Sequence, residues 1–136
     1  MTPELRSLFS PIQVGRLTLK NRIYSSAHAE AMAEGGRPGE RLRRYHEAKA
    51  RGGCALTIFG GSSSVHPSSP AAAWKQIANH DDSIIPAYRA IADAVHDHEC
   101  LVFTQITHLG RRAQADGEET NVLLAPSQIP ERVHRD

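Results

Sequence analysis

The residue types best suited to chemistry in this 136-residue sequence fall in three short groups. Ser26-Ala27-His28 closes a short strand-like run that begins at Asn21. Gly60-Gly61-Ser62 ends the apolar run Cys54-Ala55-Leu56-Thr57-Ile58-Phe59. Gln105 to His108 ends the run that starts at Leu101. Glycine, small polar residues, glutamine and histidine fill a core poorly, but they suit a backbone that a flat polar ligand approaches. The glutamine amide both donates and accepts hydrogen bonds. Each group also has a plainer reading: a strand-to-loop turn at 26–28, a tight turn at Gly60-Gly61, and a polar strand terminus tied to a loop at Gln105. His108 either borders a substrate cavity or braces its loop.

Eight histidines are many for this length, yet their spacing does not predict a metal site. His96 and His98, two apart on a helix end, face different directions and lack a convergent third ligand. A cationic histidine near a helix C-terminus accounts for them. Cys54 and Cys100 sit in apolar runs and are expected as packed thiols. Two cysteines exclude a disulfide scaffold as the main source of stability, and a reducing cytoplasm is the default compartment.

The elements that position these groups follow from periodicity. Apolar residues alternate from Leu8 to Lys20 around Gly15-Arg16, which predicts a small hairpin. Residues 34–39 are a loop by their glycine and proline content. Glu40 to Arg51 reads as a helix, with Leu42, Tyr45 and Ala48 on one face and Glu47 placed to pair with Arg51. Gly52-Gly53 stops it. Cys54–Phe59 is a strand buried on both faces, ending abruptly at Gly60. Residues 65–81 form a polar connection with Pro67, Pro70 and Trp74, the tryptophan either closing over a site or packing on the loop. Asp82 or Ser83 caps the next helix, Pro86 lies in its first turn, and Ile84, Tyr88, Ile91, Ala92 and Val95 form its apolar face. Leu101–Ile106 is the third strand, and residues 113–136 are polar and irregular apart from Ala125-Pro126-Ser127. Strand, helix, strand, helix, strand predicts an α/β fold with right-handed crossovers and a parallel sheet, whose function gathers at the carboxyl ends of the strands.

Lysine plus arginine number 16 and aspartate plus glutamate 15, for a net charge of +1. That balance supports neither nucleic-acid nor anionic-lipid binding. No apolar run approaches the roughly 18 residues of a membrane span, and no secretory signal is visible at Met1-Thr2-Pro3-Glu4-Leu5-Arg6.

The ordered motifs resemble the flavin-dependent old yellow enzyme family, most closely its branch with 2,4-dienoyl-CoA reductase and trimethylamine dehydrogenase. Leu8-Phe9-Ser10-Pro11, Val14-Gly15 and Leu19-Lys20-Asn21-Arg22 resemble the family's opening hairpin and first barrel strand. Arg43-Arg44-Tyr45-His46 with Ala50-Arg51-Gly52-Gly53 resembles its first helix. Phe59-Gly60-Gly61, the run Gln105-Ile106-Thr107-His108-Leu109-Gly110-Arg111, and Ala125-Pro126-Ser127 follow in the family's order.

The resemblance implies the N-terminal third of a (β/α)8 TIM barrel that binds FMN, with residues 1–136 as one incomplete domain. A whole barrel takes about 250 residues, so a second polypeptide completing it, or a truncated chain, is expected. It implies flavin contacts at Ser26, Ala27, His28, Gly60, Gly61 and Gln105, with Gln105 at the pyrimidine edge and His108 a substrate-side candidate. Ala29 stands where trimethylamine dehydrogenase carries its flavin-linking cysteine, so no covalent link is expected. NAD(P)H is the expected electron donor, a small molecule the substrate, and a 4Fe-4S cluster is expected only on the missing part. The activity implied is hydride transfer through FMN N5 to an activated alkene. Oxidative demethylation of a methylated amine and a non-catalytic assembly subunit are the alternatives.

Overall fold

Two twelve-residue amphipathic stretches separate runs of strand length, and the chain folds in that alternation. A computed structural model describes residues 3–69, 75–113 and 124–129. After a short helix, α1 (Pro3–Arg6), come β1 (Ile12–Val14), β2 (Leu17–Leu19), β3 (Tyr24–Ser25), β4 (Ala33–Glu34), β5 (Arg37–Pro38), α2 (Glu40–Arg51), β6 (Leu56–Ser64), α3 (Ile85–His96) and β7 (Leu101–Thr107). Short 3-10 turns cover Asp82–Ile84 and Gly110–Arg112.

The central sheet has the order β3-β6-β7 and is parallel throughout, with Tyr24 opposite Leu56 and Leu56 opposite Leu101. Both helices pack on one face. Leu42, Ala50, Phe59, Ile84, Ile91, Val95 and Cys100 form the core between helices and sheet. A second, smaller cluster of Leu19, Ala55 and Leu56, with Ile12, Ile58 and Leu101, lies where the β1-β2 hairpin meets the strand starts. Alternation along a strand therefore sends Thr57, Phe59, Val102 and Thr104 toward the helices and Ile58, Phe103 and Gln105 to the opposite face. Phe103 remains exposed there, as does Tyr24, and Ile106 is exposed near the end of β7.

Several expected details change. The segment expected as a loop over 34–39 contains a two-stranded hairpin, β4-β5, turned by Gly35 and Gly36 at φ of 57° and 75°. Two consecutive positive φ values are what a tight two-residue hairpin turn requires, and glycine meets them without steric cost. The second sheet strand does not stop at Gly60: β6 continues to Ser64, and its pairing with β7 shifts register between Phe59 and Ser63. The buried stripe of α2 is Leu42, His46 and Ala50, with Tyr45 half-buried and Ala48 exposed. Four-residue steps match the helix repeat better than the three-residue steps read from the sequence. Glu47 is paired with Arg43 at 2.9 Å. The cap of the turn before α3 is Asp81, one residue earlier than expected, and its carboxylate accepts from the Ser83 amide at 2.8 Å. Pro70, Trp74 and most of 113–136 lie outside the described residues. Ala125-Pro126-Ser127 is an exposed bend.

Candidate functional site

Parallel pairing brings the carboxyl ends of β3, β6 and β7 to one edge, so the three groups of candidate residues meet there. The turn after β3 is stitched to β6: the Gly61 amide donates to the His28 carbonyl at 3.1 Å. Gln105 lies on β7 between Thr104, which pairs with Phe59, and Ile106, which pairs with Ser63. It therefore stands beside the irregular stretch 60–62, exposed and on the sheet face away from the helices.

The two glycines are explained by the chain itself. A Cβ on Gly61 would lie 2.3 Å from the His28 carbonyl carbon, and one on Gly60 would lie 2.1 Å from the Ser63 hydroxyl oxygen. Gly60 also holds φ at 76°, a conformation that side-chain-bearing residues rarely adopt. The pair thus lets the 26–30 turn and the bulge of β6 touch backbone to backbone.

His28 presents its backbone and its ring in different directions. Its Nδ1–H donates to the Ser26 carbonyl at 3.1 Å, which leaves Nε2 to accept from the Tyr45 hydroxyl at 3.0 Å. Lys49 supports this arrangement from α2: its ammonium lies 4.0 Å from the Tyr45 ring centroid and donates to the Ser25 hydroxyl. The ring of His28 is therefore held toward α2. Ser26 is exposed and Ala27 half-buried.

Farther along the rim, His108 Nδ1 accepts from the Gly110 amide at 3.0 Å, so its Nε2–H faces the Ser68 hydroxyl at 3.0 Å. That hydroxyl and the Ser68 amide both reach His66 Nδ1. The Ser69 hydroxyl accepts from the Leu109 amide at 2.8 Å. His108 thus links two loops at the strand ends. His80 contacts the Ser64 hydroxyl, and burial, followed by the neighbouring His66, lowers its pKa.

A buried polar network was missed by the sequence reading. His46 is fully buried, with Nε2 3.2 Å from Glu30 and Nδ1 2.7 Å from the Thr57 hydroxyl. The other Glu30 oxygen faces the Gly60 amide at 3.4 Å. The available signal was the position of His46, four residues from both Leu42 and Ala50 on the buried stripe of α2. Among the described residues no cluster of histidine, cysteine or acidic groups can hold a metal ion, and no helix is long and apolar enough to cross a membrane.

Comparison with known proteins adds independent findings. Residues 7–135 match the model of the NADH:flavin oxidoreductase / NADH oxidase family. The chain is 50% identical over 130 residues to the N,N-dimethylglycine/sarcosine dehydrogenase of Chromohalobacter salexigens, covering 95% of this chain and 19% of that protein. It is 43% identical over 128 residues to a multifunctional alkene reductase/demethylase of Caballeronia cordobensis, covering 94% of this chain and 19% of that protein. The chain thus spans about a fifth of the length of these curated relatives. Its fold matches the old yellow enzyme of Trypanosoma cruzi with a TM-score of 0.77 at 28% identity, over 98% of this chain and 38% of that one.

Proposed function

We propose, from the premise that this chain belongs to the NADH:flavin oxidoreductase / NADH oxidase family, that residues 1–136 form the N-terminal part of an FMN-binding barrel. The rest of the barrel comes from further polypeptide, on the same chain or a second one. The observation that carries this reading is the convergence at one sheet edge: the 26–28 turn bonded to Gly61, with the exposed amide of Gln105 beside it.

The donor set fits a flavin. An amide that both donates and accepts suits a ring edge alternating carbonyl and N–H, and the backbone at 26–28 supplies further polar groups. When bound, the flavin supplies reversible two-electron transfer, with NAD(P)H as the proposed donor in the alkene-reducing mode. The protein's part is orientation. Gln105 holds the pyrimidine edge, the turn at Ser26, Ala27 and His28 borders the reactive side, and Gly60 and Gly61 set the backbone between them. His108 holds the loops at the rim.

For the substrate, the relative at 50% identity favours an N-methylated amine that undergoes oxidative demethylation. Reduction of an activated alkene is the second reading, favoured by the relative named for both activities. The test uses the complete protein. It should purify yellow, and under anaerobic conditions an N-methyl amino acid should bleach the flavin absorbance. Bleaching by NADH, with reoxidation by an activated alkene and no response to the amine, would select the second reading. A complete protein that binds no flavin would select the non-catalytic assembly role.

A further inference from the structure

The Glu30 carboxylate lies between α2 and the irregular stretch of β6, on the helix side of the sheet and behind the rim. Its side chain is 4% exposed and that of His46 is 0% exposed. A buried carboxylate is costly unless its charge is matched by donors. Here burial acts to raise its pKa, but the hydrogen bond from His46, reinforced by backbone and nearby histidines, outweighs it and holds the group below the ordinary carboxylate value.

A carboxylate only accepts, so His46 Nε2 carries the proton that points at Glu30. With the ring neutral, Nδ1 is the acceptor for the Thr57 hydroxyl. Thr57, His46 and Glu30 stand in the order of a hydrolase triad, but Thr57 is completely buried and no substrate can reach its oxygen. The network is therefore not nucleophilic. Among the described residues its further contact is the Gly60 amide, 3.4 Å from the second carboxylate oxygen, a long bond held by direction toward the charge rather than by close approach. Gly60 opens the stretch where β6 departs from regular pairing. Next to Glu30, Ala31 is held at φ 52°, a strained conformation that persists only where surrounding contacts impose it.

We propose that Glu30 and His46 are positioning residues for the cofactor site: together they clamp the Gly60-Gly61 backbone to the 26–30 turn and place a fixed negative charge behind the flavin. This rests on the flavin reading above. With the His46 ring neutral, the Glu30 charge is uncompensated, so it disfavours the electron-rich reduced flavin and lowers its reduction potential.

The complete flavin-loaded protein is compared with its Glu30→Gln variant, which keeps the shape and removes the charge. The midpoint potential should move to a more positive value, and the Gly60 and Gly61 amides should exchange with solvent at least ~10-fold faster as the clamp opens. A folded, flavin-loaded variant with unchanged potential and exchange overturns the proposal. Should Glu30→Gln not fold, Thr57→Val supplies the second test. It keeps the carboxylate but removes the donor to His46, so exchange at Gly60 should still accelerate, and unchanged exchange overturns the clamp. The exchange measurement does not need the cofactor. Wild-type protein that binds no flavin would therefore sink the flavin reading, while the clamp itself is still tested by exchange.

Discussion

Gln105 and Gly61 act at the single-residue scale through different means. Gln105 offers an exposed amide on the open face of the sheet, so Gln105→Leu should leave the fold intact. In the complete protein it should weaken flavin binding or shift the flavin potential. Unchanged affinity, spectrum and potential, measured by titration and spectroelectrochemistry, would remove Gln105 from the site. Gly61 acts through absence of a side chain. A Cβ there falls 2.3 Å from the His28 carbonyl carbon, and crowding of that kind typically costs about 1–3 kcal/mol. Gly61→Ala should therefore lower the urea midpoint and disturb the 26–28 turn. Gly35→Ala is the control: apart from its chain neighbours no atom lies within 4 Å of an added Cβ, and only the positive φ is strained, at roughly 1–2 kcal/mol.

At the scale of elements, α2 is fastened by charge at its solvent face and by packing at its buried one. Glu40 accepts from Arg43 and from Arg44, and these hydrogen bonds lower its pKa to about 2. A carboxylate whose folded value is depressed contributes stability above its unfolded value, near 4.5, and loses that contribution as pH falls toward about 2. Glu30 shifts in the same direction. In the complete protein the unfolding midpoint should fall between pH 5 and pH 3, and Glu40→Gln should flatten that dependence in denaturant titrations. A variant with the wild-type slope would remove Glu40 from the acid response. The 3-10 turn that leads into α3 depends instead on Asp81, and Asp81→Ala should cost about 1 kcal/mol by loss of the cap.

For the whole molecule, three strands and two helices make one covered face and one open one. Tyr24 is 60% exposed and Phe103 42% exposed on the uncovered face, and Ile106 is 65% exposed near the end of β7. Neither β3 nor β7 has a second strand neighbour among the described residues. Apolar area and unpaired strand edges together favour association with other chains. The 136-residue chain alone should aggregate or remain partly folded at micromolar concentration and bind FMN weakly. Sedimentation and thermal unfolding check this, and a monodisperse, cooperatively melting monomer would contradict it. Co-expression with the remaining barrel should restore solubility and flavin binding together.

Local periodicity by itself determined the parallel α/β order, the limits of α2, the first hairpin, and the gathering of candidate residues at the strand ends. Those features depend on neighbours a few residues apart, and Gly15, Pro86 and the apolar repeat of α3 carry them in plain view. Family motifs such as Gln105 to Arg111 added the expectation of a barrel and a flavin. Tertiary structure alone decided that β6 runs through Gly60 and Gly61, because the Gly61 amide is held by the His28 carbonyl and pairing with β7 resumes at Ser63. It alone decided that the glycines make room for residues 28–29 and Ser63, and that the His28 ring turns to Tyr45. The meeting of Glu30, His46 and Thr57, 16 and 11 residues apart, was likewise decided only in space, although the helical position of His46 hinted at its burial. The partner of a buried charge is chosen by where the chain returns in space, and no local pattern of residues encodes that distance.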